Sequence, residues 1–317
     1  MRATIISSLT VTLLAGLIMP ASAQELRRFE LELQQLPQPP QPPRPPRQPQ
    51  IRRGDPQPRR DEPRGPQETE RVSRTVRLSA NGTLDFTNLA GDLVVTGGGG
   101  NEVTVEAIKR TSGPRSRLAD VQIDVTEQGD RVEVRTRYLD NNRGANVSVD
   151  YTITVPQNAA LFARSVAGDI RIANVRGELR VETLSGDIQA AGARRIGLLK
   201  TISGDITLPD AQTEGTISAT TLSGNITYNG AVPRTGRYEL TTNSGDIALS
   251  ISTSGFIVEA STFNGDIRSD FAMTLGGNAA GGQRRNGPGQ TIRGTFGDGG
   301  AVLMLRSFNG DISITRR

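Results

Sequence analysis

Residues 183–188 read Thr-Leu-Ser-Gly-Asp-Ile, and the last three of them return down the chain at regular steps. Gly-Asp-Ile stands at 168–170, 186–188, 204–206, 245–247, 265–267 and 310–312, and Gly-Asn-Ile at 224–226. The first five intervals between these glycines are 18, 18, 20, 21 and 20 residues. Self-similarity at a period near 20 is the mark of a solenoid. Such a unit cannot bury its apolar face alone and must stack on copies of itself.

Aligned on the glycine, each unit reads apolar–x–apolar–x–Ser/Thr–apolar–Ser/Asn–Gly–Asp–Ile–x–apolar. The first column is Leu161, Leu179, Gly197, Ile217, Tyr238, Val258 and Leu303, and the second Ala163, Val181, Leu199, Ala219, Leu240, Ala260 and Leu305. The third is Ser165, Thr183, Thr201, Thr221, Thr242, Thr262 and Ser307, without exception. Alternation of this kind on both sides of a turn residue predicts two short strands per coil. The expected fold is therefore all-β: a parallel β-solenoid over 159–317, right-handed by the crossover preference, with coils of about 20 residues. Stacked at ~4.8 Å, each column becomes a ladder of like side chains. The Ser/Thr ladder has the phase of the buried face, so its hydroxyls need internal partners.

The last interval is 45 residues and carries Gly276-Gly277, Gly281-Gly282, Gly287-Pro288-Gly289 and Gly297 to Gly300. It is read as a Gly-rich loop, bearing Arg284, Arg285 and Arg293, that leaves the rod. Upstream, residues 72–158 alternate in short runs such as Val103, Val105 and Ala107, or Val147, Val149, Tyr151, Ile153 and Val155. Glu127-Gln128-Gly129-Asp130 has the look of a hairpin turn. This region is expected to be a partly antiparallel β cap, merging into the rod through Gly91-Asp92-Leu93.

The first 71 residues differ in kind. Met1-Arg2, an apolar run from Ile5 to Ile18, and Ala21-Ser22-Ala23 read as a secretory signal peptide over 1–23. No later stretch reaches the ~20 apolar residues of a membrane span. Residues 24–71 read as a Pro/Arg-rich disordered linker, opened by a short amphipathic segment with Leu26, Phe29 and Leu33 on one side. Twelve of the 18 prolines lie between Pro37 and Pro66, with seven arginines against Asp55, Asp61 and Glu62. This composition cannot pack a core and is expected to act as a polyproline-II-like tether.

Composition narrows the chemistry. There is no cysteine and no histidine, which removes disulfides, thiolate nucleophiles, Ser-His-Asp triads and the common zinc sites. Tryptophan is absent and aromatics are 4% of residues. The net charge of +4 could suit nucleic acid, but an exported chain rarely meets it.

The SGDI repeats behind an export signal, closed by Phe308-Asn309-Gly310-Asp311-Ile312, resemble the bacterial family of putative adhesins, β-strand-repeat proteins of unassigned function. The resemblance covers about 80–317. It implies a cell-envelope protein, with some relatives linked to envelope stress responses, and it brings no catalytic residues to carry over.

The sharpest candidate site is the column Asp169, Asp187, Asp205, Asn225, Asp246, Asp266 and Asp311. It could be a calcium ladder, with carboxylates of adjacent coils sharing ions. The preferred reading is that each Asp shapes its bend by accepting backbone N–H bonds, since Asn225 does that work without charge. No catalytic, cofactor or metal residue is therefore expected. The chain reads as a non-catalytic exported envelope module, structural or binding, in the periplasm or at the cell surface. Its expected partner is an acidic envelope polymer, lipid head groups or another envelope protein. The alternative is a polysaccharide lyase or hydrolase on a β-helix.

Overall fold

The computed structural model describes residues 67–139, 146–275 and 289–317. The signal peptide, the amphipathic segment, the proline-rich tether and Arg284 with Arg285 fall outside the described residues.

Two long sheets, of 11 and 12 strands, face each other. Each Gly-Asx-Ile coil gives one strand to the larger sheet, bends at Gly-Asx, and gives a shorter strand to the other. The Gly186 coil, for example, contributes Glu178–Ser185 and Ile188–Ala191. Residues whose side chains point inward alternate with outward ones, as the pleat demands. Leu179, Val181, Ile188 and Ala190 are all fully buried in one continuous core between the sheets. The chain is thus the expected all-β, solenoid-like stack.

All seven Gly-Asx-Ile bends stand in one column, joined by Gly91 as an eighth member. Their order along the rod is not the order of the sequence. The coils run Gly91, Gly168, Gly186, Gly204, Gly224, Gly245, Gly310, Gly265. The last coil of the chain, Ala301–Asn309 with Ile312–Arg316, is slotted between the Gly245 and Gly265 coils and pairs in parallel with both. The opposite end does the same. The Gly91 coil, Thr83–Thr87 with Leu93–Gly98, lies between the Gly168 coil and a further coil made of Arg131–Tyr138 and Val147–Pro156.

Antiparallel strands finish the rod. Glu68–Arg77 pairs with Glu102–Thr111, which pairs with Val147–Pro156. Val121–Gln128 folds back on Arg131–Tyr138 through the two-residue turn Gly129-Asp130 that the sequence signals. At the far end, Gln290–Gly297 runs antiparallel along Gly255–Asn264. The 45-residue interval therefore carries a capping strand as well as the Gly-rich segment. Phe256, Phe271 and Phe296 cluster there, with the Arg316 guanidinium 5.1 Å from the Phe271 ring centroid.

One column position differs from the alignment. Gly197 does not fill the first apolar column: the register slips beside Leu179 and Arg180, and Ile196 takes the buried place. A β-bulge absorbs one residue, which explains a glycine in an otherwise apolar column. Inside the rod, Thr213 Oγ1 lies 2.9 Å from Tyr228 Oη and 3.1 Å from Tyr238 Oη, so these three hydroxyls satisfy one another. Burial pushes the phenols of Tyr151, Tyr228 and Tyr238 above their usual range.

The glycine requirement at the bend is steric. A Cβ on Gly204, at φ +148°, would sit 2.1 Å from the Gly186 carbonyl oxygen. Gly215 also has positive φ, +84°, but a Cβ there meets nothing within 4 Å. In urea denaturation, Gly204→Ala is expected to cost more than about 3 kcal/mol, and Gly215→Ala about 1–2 kcal/mol from backbone strain alone. Equal costs would remove the close approach as the cause.

Candidate functional site

Three columns run side by side along the bend edge. Innermost is the Ser/Thr ladder, whose seven members are all buried. Thr201, Thr221 and Thr242 donate to the carbonyl oxygens of Gly186, Gly204 and Gly224 at 3.2, 3.1 and 2.9 Å. Ser307 donates to Gly245, and Thr262 to Gly310 at 2.8 Å. Each hydroxyl thus bonds the bend of the preceding coil in spatial order, across the sequence break. Two early members depart. Thr183 reaches only its own Ser185 carbonyl at 3.5 Å, and Ser165 Oγ has no partner.

The ladder continues where no Gly-Asp-Ile announces it. Asn88 holds the same position in the Gly91 coil, donating to the Val149 carbonyl at 3.0 Å. Thr136 holds it in the next coil, donating to Asn88 Oδ1 at 2.8 Å. Both lie inside the rod. Alternation in Thr83–Thr87 was the available signal for Asn88.

The Asx column lies on the other side of the bend. The backbone N–H of Asp187 donates to Asp169 Oδ1 at 3.0 Å, that of Asp205 to Asp187 Oδ1 at 2.8 Å, and that of Asn225 to Asp205 Oδ1 at 2.7 Å. The series runs on through Asp246, Asp311 and Asp266. It begins with Asp150, which accepts from the Asp92 N–H. One oxygen of each side chain as far as Asp311 is thereby committed to the backbone of the next coil. Asn225 does the same through Oδ1, accepting from Asp246 at 2.8 Å. Asp266 Oδ1 accepts from Gln290 Nε2 at 3.2 Å. The Asx side chains do accept backbone N–H bonds, as expected, but from the bend of the neighbouring coil and not from their own, so they tie coil to coil. Among the described residues no three His, Cys, Asp or Glu side chains gather as a metal cage.

The third column points outward, between the other two: Leu89, Val166, Leu184, Ile202, Leu222, Asn243, Phe308 and Phe263 in spatial order. Six of these apolar side chains are exposed by 40% or more. The rings of Phe263 and Phe308 stack face to face, 4.8 Å apart and 1° from parallel. The repeat consensus contains this column, and simple parity would have found it. A residue next to an inward Thr must face solvent, so the apolar character there cannot come from the core.

The two outer faces differ. On the 12-stranded sheet the apolar column runs beside Arg164, Glu182, Lys200 and Arg306. On the 11-stranded sheet the outward positions are mainly polar: Arg171, Gln189, Thr207, Thr227, Ser313 and Arg268. Arg171 and Arg268 reach back to Asp169 and Asp266 at 2.8 and 3.2 Å. Arg293, of the Gly-rich interval, pairs with Glu259 at 2.8 Å and holds that carboxyl below its usual range. Two hollows measure about 230 and 210 Å³, smaller than the ~300–1,000 Å³ of small-molecule sites.

An all-β stack of parallel coils with glycine–Asx bends defines the class of protein. The chain belongs to the Toastrack DUF4097 family, whose model matches residues 145–315. No curated protein matches the sequence. Among solved structures, a putative cell adhesion protein from Clostridium sporogenes is 10% identical, over 79% of this chain and 100% of that one, at a TM-score of 0.37. A putative adhesin from Bacteroides fragilis is 12% identical, over 77% and 96%, at 0.39. A putative lipid binding protein from Parabacteroides distasonis is 8% identical, over 77% and 96%, at 0.21. At those scores the likeness carries no functional argument.

Two substitutions test the edge. Thr201→Val removes the one side-chain donor to the Gly186 carbonyl among the described residues and is expected to cost about 1–3 kcal/mol in urea denaturation. No loss would mean that the ladder's hydroxyls do not hold the coils. If the aspartates serve only the bend, millimolar calcium and a chelator should leave the melting temperature of the protein unchanged, because a ligand of the native state raises stability. A calcium-dependent rise, abolished in Asp187→Asn with Asp205→Asn, would establish the metal ladder instead.

Proposed function

We propose that this protein is an exported, non-catalytic binding module of the cell envelope, and that its polar sheet face holds an extended, hydrogen-bonding envelope polymer. The observation that carries this reading is the outer face of the 11-stranded sheet. There Gln189, Thr207 and Thr227 stand in register on consecutive coils, and Ser313 continues the row beyond Ala248, with Arg171 and Arg268 flanking it on either side. Repeated donors and acceptors on a flat face suit a repeating ligand better than a compact one. Other support comes from the leader-like start of the sequence and from the small size of the two hollows described above. No helix among the described residues is long and apolar enough to cross a membrane, which says nothing of strands. The tether adds an arginine-rich arm that would strengthen attachment to acidic polymers or lipid head groups, in a salt-sensitive way.

The test compares residues 24–317, the same chain beginning at Gln67, and a Thr207→Glu/Thr227→Glu variant, on purified cell-wall and lipid fractions at low and high salt. Retention by cell wall without the tether, and its loss of tenfold or more in the double variant, is the expected result. Binding that disappears with the tether and with salt would move recognition to residues 37–66. Soluble fragments released from the wall would support the polysaccharide-active enzyme.

A further inference from the structure

The outward apolar column is not needed by the core, by the bend or by the polar face. We propose that it is the contact surface for a second copy of this chain, joined side by side with both rods pointing the same way. Three features of the surface lead there.

The first is size. Eight coils at ~4.8 Å make a strip about 34 Å long. With its two flanking columns, about 15–20 Å wide, it offers about 600 Å² per copy, at the lower end of stable interfaces, which total ~1,200–2,000 Å². The centre of this strip is a line of mostly exposed apolar side chains rimmed by polar ones, the pattern that marks an interaction site.

The second is charge. One flank carries Arg164, Lys200 and Arg306 against Glu182. The other flank is the Asx column, acidic at every coil except Asn225. A two-fold axis parallel to the rods sets the basic flank of each copy against the acidic flank of the other. A two-fold axis across the rods sets acidic against acidic, which costs energy wherever Arg171 and Arg268 do not already pair the carboxylates. The acidic row also disfavours an anionic lipid surface as the occupant.

The third is Asn243, the one polar residue in the strip. It is exposed, and its Nδ2 has only a 3.5 Å approach to Ser244 Oγ. In the parallel pair every residue of the column meets its own counterpart, so Asn243 faces Asn243 and the two amides can bond. In the antiparallel pair it faces Leu184, leaving an amide against an apolar side chain. A single self-paired Asn in an apolar seam fixes register and direction in the same way in coiled coils.

The chain has no cysteine, so single-cysteine variants of the exported chain report contacts without interference. Sedimentation of the wild type across about 1–100 µM should show a dimer. Leu184→Glu with Leu222→Glu should be monomeric, with an unchanged circular dichroism spectrum and melting temperature. Under mild oxidation Val166→Cys, Leu222→Cys and Phe308→Cys should each form disulfide-linked dimers, because each faces itself. Cross-linking by Leu222→Cys alone would indicate the antiparallel pair and overturn the proposed geometry. A wild type that stays monomeric with no cross-linking at any position would overturn the interface. So would a monomer that binds phosphatidylglycerol vesicles through Leu184 and Leu222. None of these outcomes depends on which polymer the polar face holds.

Discussion

The carbonyl oxygen of each bend glycine lies 2.0–2.2 Å from where a Cβ on the next coil's bend residue would stand. That approach is open only to glycine, and the bonds joining coil to coil at this edge depend on it. The glycine N–H of Gly186 donates to the Ser203 carbonyl, Thr201 donates to the Gly186 carbonyl, and the Asp205 N–H donates to Asp187 Oδ1. A methyl group at the bend would push neighbouring coils apart and lengthen all three bonds together. The repeat tolerates Asn for Asp, Ser for Thr and Tyr or Phe in the core columns, yet the glycine never varies among the eight stacked bends. Sequence freedom follows distance from this contact.

Once the bends are fixed, the pleat fixes the rest. Inward positions become Thr, Leu, Val and Ile; outward positions are left for other purposes. On one sheet they are amides and hydroxyls, and on the other an apolar column between two charged ones. The two faces therefore owe their difference to residues that contribute little to the core, which is why surface function can vary on a frame held by glycine.

The parts of this structure legible in sequence were those written locally. Gly-Asp-Ile at a period near 20 announces bends, and Gly129-Asp130 announces a hairpin. The buried phase of Thr201 follows from alternation with Leu199. The order of the coils was not legible. The edge of the Gly245 coil offers the same bonds to the Gly310 coil as it would to the Gly265 coil, because both carry the same repeat. What separates them is distant packing: Phe256 against Phe271 and Phe296, and a capping strand that must lie outermost. The Gly197 bulge was hidden because alignment on the next glycine counts residues and cannot see one that is looped out. The outward column was present in the consensus, but its meaning needed the inward phase of the neighbouring Thr to be taken seriously.

The ends of the rod explain why the first and last coils are tucked inside. A solenoid coil at an open end exposes its core and two rows of unpaired backbone groups, an invitation to end-to-end growth. Here the strands at the outer edges are poor templates. Glu68–Arg77 is charged along its length, Ile267–Ser269 is three residues long, and Thr274–Leu275 is two. Val121–Gln128, at the fourth edge, runs antiparallel to the coil beside it and offers a further parallel coil no matching ladder. Ala301–Asn309 is paired on both sides and so adds no open edge to the sheet. Short, charged or antiparallel edges disfavour axial growth, and on the sides of the rod the apolar column is the surface that water favours least.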